Sequence, residues 1–239
     1  RFTKHSALVT LLIMSIGPLA LIVQAVGETL DMLMITKRFK DEKDSHAIEI
    51  LGFSNQFGSI TGYIGLFFGQ ALTTRISTLL GSGDRENAAV LVSNCYYLCI
   101  IIYCFFVAAF IFVIKPFLQF LGVNDELLSS AFRYNAVSFF VAPLSTFGTL
   151  ASYYFQSIGS SILNAMVKVI MYVLQLGIFS PLFLFVLKVP VTFMKMGNVV
   201  ASTIVGIMMT FLIYRGKFSL KPRFQDIIGP FTPELKYAL

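Results

Sequence analysis

The chain of 239 residues is 56% hydrophobic and only 13% charged, and its mean hydropathy is +0.80. Because soluble domains carry a charge on about a quarter of their residues, this composition excludes a soluble globular domain and indicates an integral membrane protein. The net charge of +6 does not indicate a nucleic-acid partner, since the basic residues lie in short clusters between apolar segments, as they do in the loops of polytopic membrane proteins.

Six apolar segments are long enough to cross a bilayer, which takes about 20 residues of helix. They show no alternation of polar and apolar residues that would indicate a barrel. The sequence therefore predicts an all-α polytopic membrane protein in which 1–215 is one six-helix domain embedded in the lipid bilayer. The predicted helices are about 7–36, 48–74, 90–114, 133–156, 163–187 and 191–214.

The first segment contains two carboxylates, Glu28 and Asp31, three residues apart and therefore on one face of a helix. A charged side chain at mid-membrane costs at least about 2.5–3.5 kcal/mol, so such residues are usually functional. Both are predicted to form a proton-binding site, and Gln24, one turn earlier, is a candidate for lining a cleft. The alternative is that Asp31 lies at the membrane surface and pairs with the loop that begins near Lys37.

The second segment carries four glycines at offsets of 4, 3 and 4 residues, which place all four on one helical face: Gly58, Gly62, Gly65 and Gly69. Small residues on one face let helix backbones approach closely in lipid, so close packing is expected there. Asn55 lies on the same face, three residues before Gly58, and is a candidate for lining a cleft.

Polar side chains also interrupt the fourth and fifth segments. Asn135 lies in the fourth segment, and Gln175 and Ser180 lie in the fifth, where Pro181 follows. These side chains are candidates for lining a cleft, and the alternative is that they form hydrogen bonds between helices.

The turn "GSGDREN" (81–87) lacks the Lys-Ser/Thr pair of a phosphate-binding loop. The sequence also contains no H-E-x-x-H motif and no nucleophile elbow. We therefore expect a protein that is not an enzyme and has neither a cofactor nor a metal site. The basic, proline-containing segment 216–239 is too polar for a seventh span and is predicted to be a linker.

Four stretches carry a family resemblance. "ALTTRISTLLGSGDRENAAVLV" (71–92) is similar to the junction between the second and third helices of MATE (multidrug and toxic compound extrusion) transporters. "YYFQSIGSSILNAMV" (153–167) resembles the family's junction between the fourth and fifth helices. "FSPLFLFVLKVP" (179–190) is similar to its fifth helix, and "LDMLMI" (30–35) is similar to the end of its first helix. The stretches occur in the same order as in the family. The resemblance implies one six-helix lobe of a twelve-helix antiporter, with 216–239 leading toward a second lobe or with a second copy as partner.

That resemblance also implies an ion-coupling site for H⁺ or Na⁺. Asp31 matches the acidic residue in the first helix of the family, whereas the family's Asn-x-x-x-Asp-Pro pattern in the fifth helix is replaced by Leu176 and Ser180 before Pro181. The departure leaves Asp31 as a lone acid that could carry a proton with help from Glu28 and Gln175.

Three functions remain open from the sequence. The first is an antiporter half that exports organic, cationic or xenobiotic small molecules across the cell membrane by alternating access. The second is a truncated or degenerate half without transport of its own, which the loss of the fifth-helix pair would explain. The third is a lipid-linked-sugar flippase of the same architecture; such clefts are strongly basic, whereas this sequence offers only Arg133 and Lys168 at mid-chain.

Overall fold

A computed structural model describes residues 4–40, 47–223 and 226, without the side chains of 4–20 and 55–61. Within that part of the chain the regular structure is entirely helical, which confirms the predicted fold class. The six helices are α1 (Lys4–Phe39), α2 (Ala47–Gly81), α3 (Arg85–Phe120), α4 (Asp125–Ser157), α5 (Ser161–Leu174) and α6 (Met196–Tyr214).

The helices are long and apolar enough for a bilayer. Four spans of the described part meet both criteria: Arg85–Phe120, Asp125–Ser157, Ser161–Val186 and Val191–Tyr214. Helices α1 and α2, with 36 and 35 residues, also exceed the length needed to cross. Many large apolar side chains, such as Phe105, Phe112 and Phe140, are exposed on the outside of the bundle, where lipid would cover them.

Helix α4 is the centre of the bundle, since it packs against α2, α3 and α6. Two glycines allow close contacts there. Gly69 of α2 lies against the ring of Tyr153, and Gly206 of α6 lies against the backbone of Gly148. Gly65 also faces α3 and α4, so part of the predicted glycine face is a packing face, whereas Gly62 meets no neighbour. Gly58 lies outside the residues whose side chains are described.

The fifth span is not one regular α-helix. After Leu174 it continues as a π-helical turn, Gln175–Phe179, and after Pro181 as a second one, Leu182–Val186. In a π turn each N–H bonds to the carbonyl five residues earlier rather than four. Proline has no N–H and its ring crowds the preceding turn, so wider turns on both sides of Pro181 accommodate it without ending the span.

The segment after α6 begins by folding back onto the bundle. Leu220 is buried, and its backbone N–H and carbonyl lie 3.4 Å from the hydroxyl of Tyr154 in α4. Phe218 packs against Phe155 with ring centroids 4.8 Å apart. The first part of the predicted linker therefore lies on the lobe, while most of 224–239 lies outside the described residues.

Candidate functional site

Helices α1 and α5 run side by side, and polar contacts between them recur along the interface. Lys168 contacts Gln24, Tyr172 contacts Glu28 and Ser180 contacts Asp31. Further along, Nε of Arg38 donates to the carbonyl of Leu184 at 2.9 Å in the second π turn. Because residue numbers rise together on both helices, α1 and the fifth span are parallel. Five of the seven predicted site residues lie on these two elements.

Asp31 lies in the interior of the lobe with only 4% of its surface exposed. The hydroxyl of Ser180, itself buried, donates to Oδ1 of Asp31 at 2.6 Å. Among the described residues, the hydrogen-bond partner of Asp31 is therefore in the fifth span and not at the end of α1. Tyr134 of α4 and Tyr172 of the fifth span are near enough to interact electrostatically with the carboxylate. Asp31 is therefore a buried acid with the Ser180 hydroxyl as its hydrogen-bond partner and two tyrosines within electrostatic range.

Ser180 is held in place by a glycine of α6. A Cβ atom added to Gly197 would lie 2.6 Å from Oγ and 2.7 Å from the backbone nitrogen of Ser180. Since both distances are shorter than real Cβ atoms allow, only glycine permits α6 to lie against the fifth span here. Gly197 thus fixes the distance between α6 and the hydroxyl that binds Asp31.

Gln175 is completely buried, and neither its Oε1 nor its Nε2 has a hydrogen-bond partner among the described residues. The backbone N–H of Ser180 donates to the Gln175 carbonyl, which is the π-type bond of this turn. Residues five apart are therefore one turn apart at this point, so Gln175 and Ser180 project in more similar directions than in an α-helix. The structure shows no hydrogen bond between the Gln175 side chain and Asp31.

Glu28 does not join Asp31. Unlike Asp31, it is exposed, and its Oε1 accepts from the Gln24 amide at 3.0 Å and from the Tyr172 hydroxyl at 3.5 Å. The Gln24 oxygen in turn accepts from the Lys168 ammonium at 3.3 Å. The expected shared proton between two carboxylates on one face is therefore not supported by this geometry, because each acid has its own partners.

The remaining two candidates lie elsewhere. The Asn135 amide donates to the Ser54 hydroxyl at 2.9 Å and to the Ala131 carbonyl at 2.8 Å, in a site with 1% exposure. Asn135 therefore connects α4 to α2 and does not line an open cleft here, which is the alternative left open by the sequence. The side chain of Asn55 lies outside the described residues.

A cavity of about 590 Å³ lies between α2, α3 and α4, and Phe53, Phe117 and Leu127 form part of its lining. It contains none of the predicted site residues. Sequence reasoning missed two residues that the structure places in the site, Tyr172 and Gly197. Tyr172 follows Lys168 by four residues, a spacing that puts both on one helical face, so this pair was detectable; the contact of Gly197 depends on the tertiary fold.

Comparison with known proteins links the chain to one family. The MatE family model matches residues 7–180. A search of curated proteins gave no match. The six-helix, multi-pass architecture and the apolar surface agree with an integral membrane protein.

Several solved structures share the fold. An outward-facing multidrug resistance MATE family transporter of the MOP superfamily is 17% identical with a TM-score of 0.77, over 95% of this chain and 48% of that chain. MATE in the bent conformation is 17% identical with a TM-score of 0.78, over 100% and 53%. A MOP superfamily transporter from Pyrococcus furiosus, described as having a binding pocket of reverse polarity, is 18% identical with a TM-score of 0.77, over 95% and 48%. The chain spans about half the length of these transporters.

Proposed function

The chain belongs to the MatE family, and from this membership we propose that it forms one half of a secondary antiporter. The antiporter exports organic, cationic or xenobiotic compounds in exchange for H⁺ or Na⁺ by alternating access. The partner of this half is a second six-helix lobe or a second copy of the chain, and the cleft between the two halves carries the substrate across the cell membrane.

The single observation that supports ion coupling is the burial of Asp31 beside Ser180. An ionised carboxylate in the interior of a membrane protein is costly, and one hydroxyl donor offsets only part of that cost. Protonation neutralises Asp31 and lowers the free-energy cost of burying it. The protonated and ionised forms therefore favour different packings of α1 against the fifth span, and a proton gradient biases the exchange between them.

The proton suits this site better than Na⁺ does. A proton needs a single oxygen atom, which Asp31 supplies. A sodium ion needs several oxygen ligands and a compensating negative charge, and the fifth span offers Ser180 in place of a second carboxylate. We accordingly propose H⁺ as the coupling ion of this half.

The test is the substitution Asp31→Asn in the intact protein, reconstituted in vesicles with an imposed pH gradient. Efflux of a cationic dye driven by the gradient should be lost, while the amount of folded protein is unchanged. The control is Asp125→Asn, which removes an exposed carboxylate from the first turn of α4. Full transport by the Asp31 variant would overturn the proposal.

A second candidate is supported by the coverage of about half of each solved transporter. Under it, the chain is a half without independent transport that acts as a structural partner. Light scattering of the purified chain in detergent, combined with dye efflux, separates the two: a monomer that transports nothing under any ion gradient favours this candidate. The flippase alternative is weaker, because Lys168 contacts Gln24 in a group that also contains the acid Glu28, so the α1–α5 contact is not a basic cleft.

A further inference from the structure

Four polar side chains form a cluster that is separate from the Asp31–Ser180 pair. Gln24 and Glu28 belong to α1, and Lys168 and Tyr172 belong to α5. We call these four residues the α1–α5 cluster. Tyr172 is fixed in it because its ring lies directly against Gly27, where a Cβ atom would have no room.

The cluster lies near the middle of the membrane. Tyr172 is 11 residues after Ser161 and 14 residues before Val186, the ends of the fifth span. At about 1.5 Å per residue, this puts Tyr172 roughly 16 Å from the start of a span that crosses about 30 Å of hydrocarbon. Glu28 is exposed at the same level, because it contacts the Tyr172 hydroxyl.

An exposed carboxylate at that depth cannot face hydrocarbon without a large cost. A long side chain can bring its charge to the membrane surface, but Lys168 directs its ammonium to Gln24 and toward the carboxylate. The face of the α1–α5 cluster therefore borders a space that holds water or protein. In a half of a transporter, that space is the substrate cleft.

The two charges of the cluster are held apart. Gln24 lies between them, donating its amide N–H to Glu28 and accepting from Lys168 through its oxygen. Within the described part of the chain, Oε2 of Glu28 accepts no hydrogen bond. The Lys168 ammonium has three N–H groups, of which one donates to Gln24. Both charged groups thus retain capacity for a ligand, at a fixed separation set by Gln24.

We propose that the α1–α5 cluster is a substrate subsite for zwitterionic organic compounds, in which Glu28 binds a protonated amine and Lys168 binds a carboxylate or another anionic group. Gln24 sets the distance between the two, and Tyr172 supplies a flat aromatic wall and a hydroxyl. A purely cationic substrate would leave Lys168 unpaired in the cleft, and a purely anionic one would do the same to Glu28. This inference rests on the proposed transport function, and it specifies the substrate class.

The experiment uses the intact protein and three matched probes: a fluorescent amino acid, its methyl ester, which is only cationic, and its N-acetyl derivative, which is only anionic. Equilibrium binding is measured in detergent and uptake is measured in vesicles with a pH gradient. The unsubstituted protein should bind the zwitterion at least about tenfold more tightly than either derivative, because each charge adds a charge-assisted hydrogen bond.

Two substitutions test the roles of the charges. Lys168→Gln should weaken binding of the zwitterion about tenfold and leave the ester unchanged, and Lys168→Arg should retain most of the preference. Glu28→Gln should weaken the zwitterion and the ester but leave the N-acetyl derivative unchanged. Matched controls are Lys37→Gln and Glu126→Gln, which remove exposed charges outside the cluster.

The outcomes separate the two proposals. Equal affinity for the three probes, or equal losses for all three in both variants, would overturn the subsite. Selective binding that follows these charges without any gradient-driven uptake would support the subsite and contradict the antiporter. Uptake that requires Asp31 but ignores Glu28 and Lys168 would support the antiporter and contradict the subsite.

Discussion

The carboxylate of Asp31 and the hydroxyl of Ser180 are joined by a hydrogen bond of 2.6 Å between α1 and the fifth span, and both side chains are buried. The serine occupies the position at which the resemblance to MATE transporters implies a second carboxylate. A second carboxylate would repel Asp31 or share its proton. A hydroxyl instead donates a hydrogen bond to the carboxylate, so this site holds one acid and one neutral donor where the resemblance implies two acids.

The first prediction concerns Ser180→Ala. Loss of the donor leaves the buried Asp31 carboxylate without its described hydrogen-bond partner, and a hydrogen bond to a charged group is worth about 1.5–3 kcal/mol. The melting temperature in detergent should therefore fall, and proton-driven efflux should fall with it because the proposed coupling depends on Asp31. The measurements are thermal melting and dye efflux.

Ser145→Ala is a matched control, because the Ser145 hydroxyl bonds only to the carbonyl of Ala142 in its own helix. Its melting temperature and its efflux should change much less, because no hydrogen bond between helices is lost. A Ser180→Ala variant that melts and transports like the unsubstituted protein would show that the hydroxyl does not stabilise the Asp31 site.

A second prediction concerns Gly197→Ala in α6. The new methyl group would meet Oγ, N and Cα of Ser180 at 2.6–2.8 Å. Backbone atoms cannot move aside as a flexible side chain can, so α6 and the fifth span must separate. Overpacking of this kind costs about 1–3 kcal/mol, and the melting temperature in detergent should fall together with transport.

Gly177→Ala provides the comparison, since a Cβ atom at Gly177 would meet nothing within 4 Å although this residue lies only three positions before Ser180. Its melting temperature should be unchanged or slightly raised. If both alanine variants lose the same stability, the close approach of α6 to Ser180 is not the cause.

The sequence was sufficient for the fold class because apolar length is a local property. Each observed helix overlaps one predicted segment; α1 to α4 extend beyond theirs at both ends, whereas α6 begins later than predicted and ends at the predicted residue. It also made Asp31 a candidate, since an acid among apolar residues stands out without tertiary information, but it left open whether Asp31 is buried or lies at the membrane surface. The different roles of Asp31 and Glu28 were not predictable. They share a helical face by spacing, yet only Asp31 is covered by its neighbours, and that depends on how the fifth span packs.

The π turns were not predictable either. The sequence shows Pro181 within the fifth span, but proline kinks, ends or widens a helix according to its neighbours. Here the wide turns place Gln175 and Ser180 one turn apart, whereas an α-helix would direct them to different faces. Similarly, Asn135 could have lined a cleft or joined two helices, and only the position of Ser54 decides between these.

A third prediction follows for Asn135→Leu. The substitution removes hydrogen bonds to Ser54 and to the Ala131 carbonyl in a fully buried position. Lost buried hydrogen bonds cost about 0.5–1.5 kcal/mol each, so the melting temperature should fall. Because Asn135 joins α2 to α4 and borders no cleft, the relative transport rates of different substrates should stay the same. A changed substrate preference at unchanged stability would show instead that Asn135 lines the cleft.

The last prediction concerns Gln175→Leu and separates stability from transport. Both polar atoms of Gln175 are buried without a partner among the described residues, and each such group costs about 1–3 kcal/mol. Leucine has a similar size and no polar atoms, so the variant should melt at a higher temperature. A polar side chain retained at such a cost one turn from Ser180 indicates a functional role, and proton-driven efflux should therefore fall at least about tenfold, equivalent to about 1.4 kcal/mol.

The comparison is Leu174→Met on the preceding residue, which keeps the site apolar and should change neither property. A Gln175→Leu variant that gains stability and transports normally would reduce Gln175 to a packing residue, and one that loses stability would show that its amide is paired in the folded protein.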